Sequence, residues 1–471
     1  MLELCIVMSL VLGFSFLSYV VALVTTFLRR LPDTPGDPAS FDWHFVVPCL
    51  NEAAVIGATV DYLRGAFPAA HLWAVDDASN DATPAILGEA AARDGHVHVV
   101  RRQLPDARTG KGDALNAAYQ AICAALHPGA DRRRIALCVV DADGRPSPNL
   151  LEVCAGPAVF GDSRIGACQV EVRMSNRDVR RPLPHQGPVA NLGAMVLARL
   201  QDIEFRCPIS AMQMLRMRSG TVNLGGNGQA ARLSALDTVA AGSGRPWGNA
   251  LLEDYEIGLR LMLAGSVIAY TTDAWVDQEA LWSLRSLLVQ RTRWAQGSMQ
   301  CLRYLPHVWR SRRFSNAGLL EVTYFMAQPW LQIIGSLIYP VPMFVLLANA
   351  ARYPEFTETF LRYGGAALLA LYTLIGIGEF AVWAWVYRRR CAPGLSRRNM
   401  VVIGAGLTAY AWLTYVIAWR AFARLVFRRS SWPKTRRNAE MEALGAQSGP
   451  APAAPRAAAD ATAASRETVA L

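Results

Sequence analysis

Charge is scarce in this sequence, and paired cysteines are missing from it. Only 18% of the residues are charged against 52% hydrophobic, and the mean hydropathy is +0.19. An ordinary soluble domain carries about 25% charged residues, so part of the chain is expected to leave water. Nine cysteines, an odd number with no CxxC spacing, exclude a disulfide framework and a zinc site of the usual kind. They read as reduced thiols facing cytosol or lipid. No charged residue occurs over residues 5–28, and a helix needs about 20 apolar residues to cross a bilayer core. A positive segment ahead of this run is also lacking, since the early charge is Glu3; that favours a membrane anchor over a cleavable signal peptide. Arg29 and Arg30 end the run and place its C-terminal end inside.

What is present fills about three units, taking roughly 150 residues for each. After a first span over residues 1–30 and a Pro-rich linker over 31–38, residues 41–284 alternate short apolar runs with helix-length amphipathic pieces. This is the punctuation of an α/β domain. Residues 285–321, basic and Trp-bearing, are expected to lie along the membrane surface. Residues 322–427 hold about three more spans, over 322–351, 364–387 and 400–419. The net charge of +10 sits in clusters such as Arg388, Arg389 and Arg390 beside these runs, which is a membrane-flank pattern and does not call for nucleic acid. Residues 440–471, dominated by Ala, Pro, Ser and Gly, read as a disordered tail.

The spans leave one conflict. One before the domain and three after it would put the tail outside, whereas Arg428, Arg429, Lys434, Arg436 and Arg437 favour the inside. Either the segment with Pro329, Pro340 and Pro342 is re-entrant, or Arg420 and Arg424 mark a last helix that turns along the surface.

Candidate strands are residues 44–47, 72–75, 97–100 and 135–140, each ending in a polar turn. In open α/β sheets ligands bind beyond the carboxyl ends of the strands. The fourth run leads into Asp141 and Asp143. Alternate side chains of an extended segment share a face, and two carboxylates there suit a hard cation, Mg2+ or Mn2+, completed by phosphate oxygens and water. An ordinary Asp-Gly turn would look the same. The second run leads into Asp76, Asp77, Ser79 and Asp81, acids able to accept hydrogen bonds from a uracil N–H and ribose hydroxyls, or simply turn and N-cap residues. Glu253, Asp254 and Glu256 open an amphipathic helix; they either complement its dipole or supply Asp254 as general base. Gln290, Arg293 and Trp294 share one helical face. There Arg293 can grip a diphosphate, Gln290 can add a hydrogen bond and Trp294 can offer a flat platform to a sugar ring, although an interfacial Arg/Trp helix has the same residues.

Taken in order, Pro48-Cys49-Leu50-Asn51-Glu52, Asp76-Asp77-x-Ser79-x-Asp81, Lys111-x4-Asn116, Asp141-x-Asp143, Glu253-Asp254 and Gln290-x-x-Arg293-Trp294 resemble the family 2 glycosyltransferases, with the nearest look to the membrane-bound branch of cellulose, hyaluronan and chitin-oligosaccharide synthases. The resemblance implies a GT-A (Rossmann-like) fold, a UDP-sugar donor, Mg2+ or Mn2+ and an inverting reaction. By motif it implies that Glu52, Asp76, Asp77, Lys111, Asp141, Gln290 and Arg293 bind the nucleotide sugar and that Asp141 and Asp143 hold the metal. Asp254 is then the base, and Trp294, Gly225, Gly226 and Glu253 line the acceptor side. Two departures stand out: Leu252 occupies the position of a family threonine, and no counterpart of the Phe- and Thr-containing gating segment follows Trp294.

Three readings follow. The main one is a plasma-membrane synthase with a cytosolic catalytic domain that extends a β-linked polysaccharide from UDP-glucose or UDP-N-acetylglucosamine and threads it through its own spans. Glu379, Trp383, Trp385, Tyr410, Trp412 and Tyr415 are then candidate channel residues, unless they form an interfacial aromatic belt. The alternative is a glycolipid synthase making one or a few transfers to a lipid. The third is a non-catalytic transporter or scaffold.

Overall fold

β1 (Asp42–Cys49) has the sequence DWHFVVPC, apolar on both sides of the pleat, as a strand covered on both faces requires. It sits between β2 (His71–Asp77) and β4 (Ile135–Val139), parallel to both, and β3 (Val97–Arg102) continues the parallel set beyond β2. The computed structural model describes residues 2–429 and Asn438. The full sheet also holds β5 (Arg145–Pro146), β6 (Ile165–Met174), β7 (Gln229–Arg232) and β8 (Val267–Gln278), in the order β3-β2-β1-β4-β7-β6-β8-β5. β7 runs antiparallel to β4 and β6. The expected GT-A-type α/β sheet is therefore present, and its four parallel strands begin within two residues of the positions read from the apolar runs.

Side-chain alternation divides the core. Phe45, Val47, Leu72 and Ala74 face the helices Ile56–Ala66 and Thr83–Arg93. Val46, Trp73 and Val75 face the helix Lys111–Ala125, in a cluster that continues without a break into Val20, Leu23 and Phe27 of the first helix and Trp383, Tyr387 and Leu407 of the last two. Catalytic domain and apolar helices thus share one core.

Among the described residues, four stretches are long and apolar enough to cross a membrane: Leu10–Leu28, Asn316–Arg352, Glu355–Arg390 and Arg397–Val426. The second and third each hold more residues than one straight span needs; the second carries Pro340 directly after Tyr339, whose backbone stays helical, and the third leaves helical geometry at Tyr363 and Gly364. The last helix, Arg397–Val426, packs against the catalytic domain. Leu200 packs on its Gly406, Tyr410 donates to Glu204 at 2.7 Å, and Arg420 and Arg424 reach Thr292 and Gln296 at 3.3 and 2.8 Å. Its C-terminal end therefore lies against the helix of Gln290–Trp294. Lys434, Arg436, Arg437 and the tail over 440–471 lie outside the described residues. The cysteines among the described side chains are all unbridged.

At the end of the sheet opposite the loops after β1 and β2, histidines cluster. His44 and His71 stack at 5.1 Å, His71 Nδ1 lies 3.1 Å from His98 Nε2, and Trp73 Nε1 donates to His44 Nδ1 at 2.9 Å. Burial, then the neighbouring imidazoles, hold His71 and His98 below the usual histidine range. A base whose folded pKa is depressed binds more protons when unfolded, so its stabilising effect is present above the unfolded value of about 6.5 and is lost as the pH falls through it. The melting temperature should drop between pH 7.5 and 5.5, and the double variant His71→Gln/His98→Gln should show a shallower drop in scanning fluorimetry of the detergent-solubilised chain.

Candidate active site

Two loops carry the first acids. β1 ends in Cys49, and Asn51 just beyond adopts a left-handed φ of 55°. Its amide donates to Ser79 Oγ at 2.9 Å while its side-chain oxygen accepts from Asn80 N at 2.8 Å. Glu52, buried, is tied through its amide to Thr83 Oγ1. Asp76 and Asp77 close β2, both buried. Asp76 accepts from Ser79 N at 3.0 Å, and Asp77 pairs with Arg102 and takes Arg108 N at 3.0 Å. Asp81 caps the following turn through Thr83 N and Ala53 N, so here the turn-and-cap reading describes its contacts. Asn116 likewise spans the backbone of Trp247 with two bonds of 3.0 Å.

Asp141 and Asp143 differ in one respect from the pleated-strand expectation. β4 stops at Val139, and Gly144 N donates to Asp141 O at 2.7 Å, so the two acids sit in a tight turn and do not alternate along a strand. Their carboxylates have separate holders: Lys111 Nζ meets Asp141 at 2.6 Å, and Asp143 accepts from Glu279 N at 3.0 Å. A pair of carboxylates fits Mg2+ or Mn2+, which commonly takes one or two protein carboxylates and completes its shell with substrate phosphates and water. Among the described residues no third His, Cys, Asp or Glu joins them.

Lys111, first residue of its helix, joins these acids to Glu253 and Asp254. Besides Asp141 it lies 4.0 Å from Glu253, and although burial pulls its pKa down, Asp141 and Glu253 outweigh that and leave it raised. Burial and then Glu253 push the Asp254 carboxyl up to about 7, against the opposing pull of Lys111 and Arg293. Arg293 is thereby placed within range of Asp254. Gln290 and Trp294 lie on the same helix, Leu284–Cys301. Trp294 has one face under the Arg291 guanidinium at 4.0 Å and meets Phe205 edge-on. Arg291, which sequence reasoning passed over, is buried and pairs with Glu204 at 2.7 Å.

The loop over 223–229 completes the cluster. Gly225 N donates to Gln169 Oε1 at 2.7 Å, and Gln169 Nε2 returns to Asn227 O at 2.8 Å. Gly226 has φ +81°, and a Cβ there would stand 3.0 Å from Asp254 Oδ2 and 3.3 Å from Lys111 Nζ. The loop backbone therefore closes over Asp254. Gln169 was also missed: the run IGACQVEVRM carries Glu171 and Arg173 as well, so nothing local marked it out. Leu252 stands at the N-cap of the base helix with no side-chain cap, so the family threonine it replaces would have a capping hydroxyl to offer.

A family profile described as "Glycosyltransferase like family 2" matches residues 42–297. The beta-monoglucosyldiacylglycerol synthase of Synechocystis sp. is 27% identical over 450 residues, covering 89% of this chain and 82% of that protein. The enzyme of the same name from Trichormus variabilis is 28% identical over 270 residues, 56% of this chain and about half (49%) of its own length. A mannosyltransferase from Pyrobaculum calidifontis, solved with GDP-Man and Mn2+, superposes with a TM-score of 0.54 at 18% identity over 91% of this chain and all (100%) of that one; at that identity it supports the fold. The resemblance within the family accordingly moves from polysaccharide synthases to enzymes named for a lipid product.

Gly226→Ala puts a methyl into the space between Asp254 and Lys111 and forces a left-handed φ on a residue with a Cβ, a strain of about 1–3 kcal/mol. We expect a lowered melting temperature and at least a tenfold loss of turnover with nucleotide-sugar donors, with the donor affinity changing less than the rate.

Proposed function

The chain belongs to glycosyltransferase family 2, and from that premise we propose that it transfers glucose from UDP-glucose to the free hydroxyl of a diacylglycerol, with inversion at the anomeric carbon and with Mg2+ or Mn2+ on the donor. The observation that carries the lipid acceptor is the reach of the similarity to the Synechocystis synthase, which at 89% of the chain extends beyond the catalytic domain into the apolar helices. The polysaccharide reading has less support. Of the proposed channel residues, Trp385 and Trp412 are exposed on the outside of the helices, and Tyr410 is committed to Glu204.

In this reading the uridine lies over the loops after β1 and β2, against Glu52, Asp76 and Asp77. The diphosphate lies between Lys111 and Arg293, with Gln290 beside it. Asp141 and Asp143 would hold the divalent ion, whose chemistry is to neutralise charge on the diphosphate as it departs. The acceptor enters from the side of Trp294 and Gly225–Gly226, next to Glu253. Its hydroxyl oxygen forms a bond to the anomeric carbon from the face opposite the diphosphate. The bond from that carbon to the phosphate oxygen breaks with its electron pair going to UDP, and the hydroxyl proton passes to Asp254. A base near pKa 7 suits this, being about half ionised at neutral pH and basic enough to take the proton.

The test is direct. The full chain in nanodiscs, given UDP-glucose, Mn2+ and diacylglycerol, should form a monoglucosylated lipid identifiable by mass spectrometry. Asp254→Asn should lower the rate at least a thousandfold with donor affinity kept within about threefold, and chelation should abolish turnover until Mg2+ or Mn2+ is restored. For the wild type, kcat/KM should rise with pH through about 7, because only the ionised form of Asp254 accepts the proton. A long glucan as product, or equal rates for wild type and Asp254→Asn, would overturn the reading.

A further inference from the structure

One acidic side chain stands outside this chemistry. Glu379 lies inside the third apolar stretch and is 5% exposed. Its Oε2 has no hydrogen-bond partner, and no arginine or lysine among the described residues acts on its charge. An ionisable group in a span is costly to hold there, and where it occurs it faces the interior of the bundle and marks a site or a pathway.

Its surroundings are rich in hydroxyls. Tyr324, Tyr339 and Tyr415, from three different parts of the apolar region, are close enough to sense its charge. Tyr339 in turn senses Tyr372, whose hydroxyl is buried without a partner. Tyr339 and Tyr415 meet across Gly335, each within 4 Å of the place its Cβ would take. Pocket depth follows from the helix. Tyr387, eight residues on, donates to Asp202 of the catalytic domain at 2.7 Å, so Glu379 lies about 12 Å further along the axis at 1.5 Å per residue. A polar connection leads back. One turn from Tyr324, Glu321 accepts from Tyr19 at 3.0 Å and Arg216 at 2.8 Å, and Phe325 packs on Tyr255, the residue after Asp254, at 4.6 Å.

The unmatched groups define what would fit. A carboxylate oxygen needs a donor and a tyrosine hydroxyl can donate or accept, so the ligand must do both. An anionic headgroup would find no arginine or lysine beside Glu379, among the described residues, to meet its charge. A hard cation would want several oxygen ligands with charge, and one carboxylate is present. A neutral group bearing hydroxyls satisfies both sides, and the tyrosine rings supply flat apolar walls for its carbon skeleton. Resting on the glycolipid reading above, we propose that Glu379 with Tyr324, Tyr339, Tyr372 and Tyr415 forms a binding pocket within the apolar helices for the neutral, hydroxyl-bearing headgroup of a lipid. That chemistry belongs to the diacylglycerol acceptor and to its glucosylated product, and the test separates the two.

The full chain is reconstituted in phosphatidylcholine nanodiscs with photoactivatable diacylglycerol or glucosyldiacylglycerol, and labelled peptides are mapped for wild type, Glu379→Leu and Glu379→Gln. We expect labelling of the segment around residue 379 in wild type to fall at least fivefold in Glu379→Leu and to be largely kept in Glu379→Gln, whose amide still bonds hydroxyls. Loss with the diacylglycerol probe alone assigns the pocket to the acceptor, and loss with the glucosylated probe alone assigns it to the product. In turnover, Glu379→Leu should raise the apparent KM for lipid or slow product release at least tenfold, with the KM for UDP-glucose unchanged. Its melting temperature should stay level or rise, since an unpartnered buried acid has been removed; a merely structural role would lower it. Equal labelling of wild type and Glu379→Leu by both probes, or a parallel shift of both KM values with a lower melting temperature, overturns the pocket. Labelling needs no turnover, so a wild type that makes no glycolipid would refute the glycolipid reading while the probes still decide the pocket.

Discussion

The Lys111 ammonium, 2.6 Å from Asp141 and 4.0 Å from Glu253, is the contact on which the rest of the site depends. It is the first residue of its helix, placed by the loop that follows β3, and its side chain is only 13% exposed. Around it stand Asp141, Glu253 and Asp254, and Arg293 is the other cation within range of the base. Acids therefore outnumber bases before any ligand arrives. This deficit, with burial, explains why Asp254 holds its proton up to about pH 7, and it gives a physical reason for a divalent ion to accompany a diphosphate. Two further negative charges beside these carboxylates would be strongly unfavourable in an enclosed site unless a cation came with them.

The same geometry accounts for the closeness of the base helix and the helix of Gln290–Trp294. A Cβ on Gly297 would fall 2.5 Å from Leu252 N, and Gln300 accepts from Leu251 N at 2.9 Å. One helix rests on the N-terminus of the other, which is how Arg293 comes within range of Asp254. That second helix is in turn gripped by the last apolar helix through Thr292 and Gln296. The site is thus fixed from the membrane side as well as from the sheet, and the shared apolar core makes the two parts one packed body.

Much of this was legible in the sequence, and the parts that were not have identifiable causes. Strands showed because buried parallel strands are apolar runs, and the motif acids showed because their order along the chain resembles a family. The pleat argument for Asp141 and Asp143 did not carry over, because the strand ended at Val139, one residue early, and a turn took its place. Gln169, Arg291 and Gly297 were hidden for another reason: each acts through a partner distant in sequence, namely Asn227, Glu204 and Leu252. The histidine cluster joins three strands, and no local window contains it.

Asp254 and Glu379 are related by a common physical fact, that an acid placed where solvation is poor destabilises the fold unless it is matched. Asp254 is partly matched by Lys111 and Arg293, and its raised pKa records the remainder. Glu379 has no such partner among the described residues. Leucine at that position would pack as well and hold no unmet hydrogen-bonding group, so stability alone gives no reason for an acid there. Strained or unsatisfied groups of this kind concentrate at functional sites, and here Tyr324 is within range of both Glu379 and Glu321, which accepts a hydrogen bond from Arg216. The proposed glycolipid reaction would use both: a base in the cleft that takes a proton, and a foothold among the apolar helices for the polar end of a molecule that otherwise belongs to the bilayer.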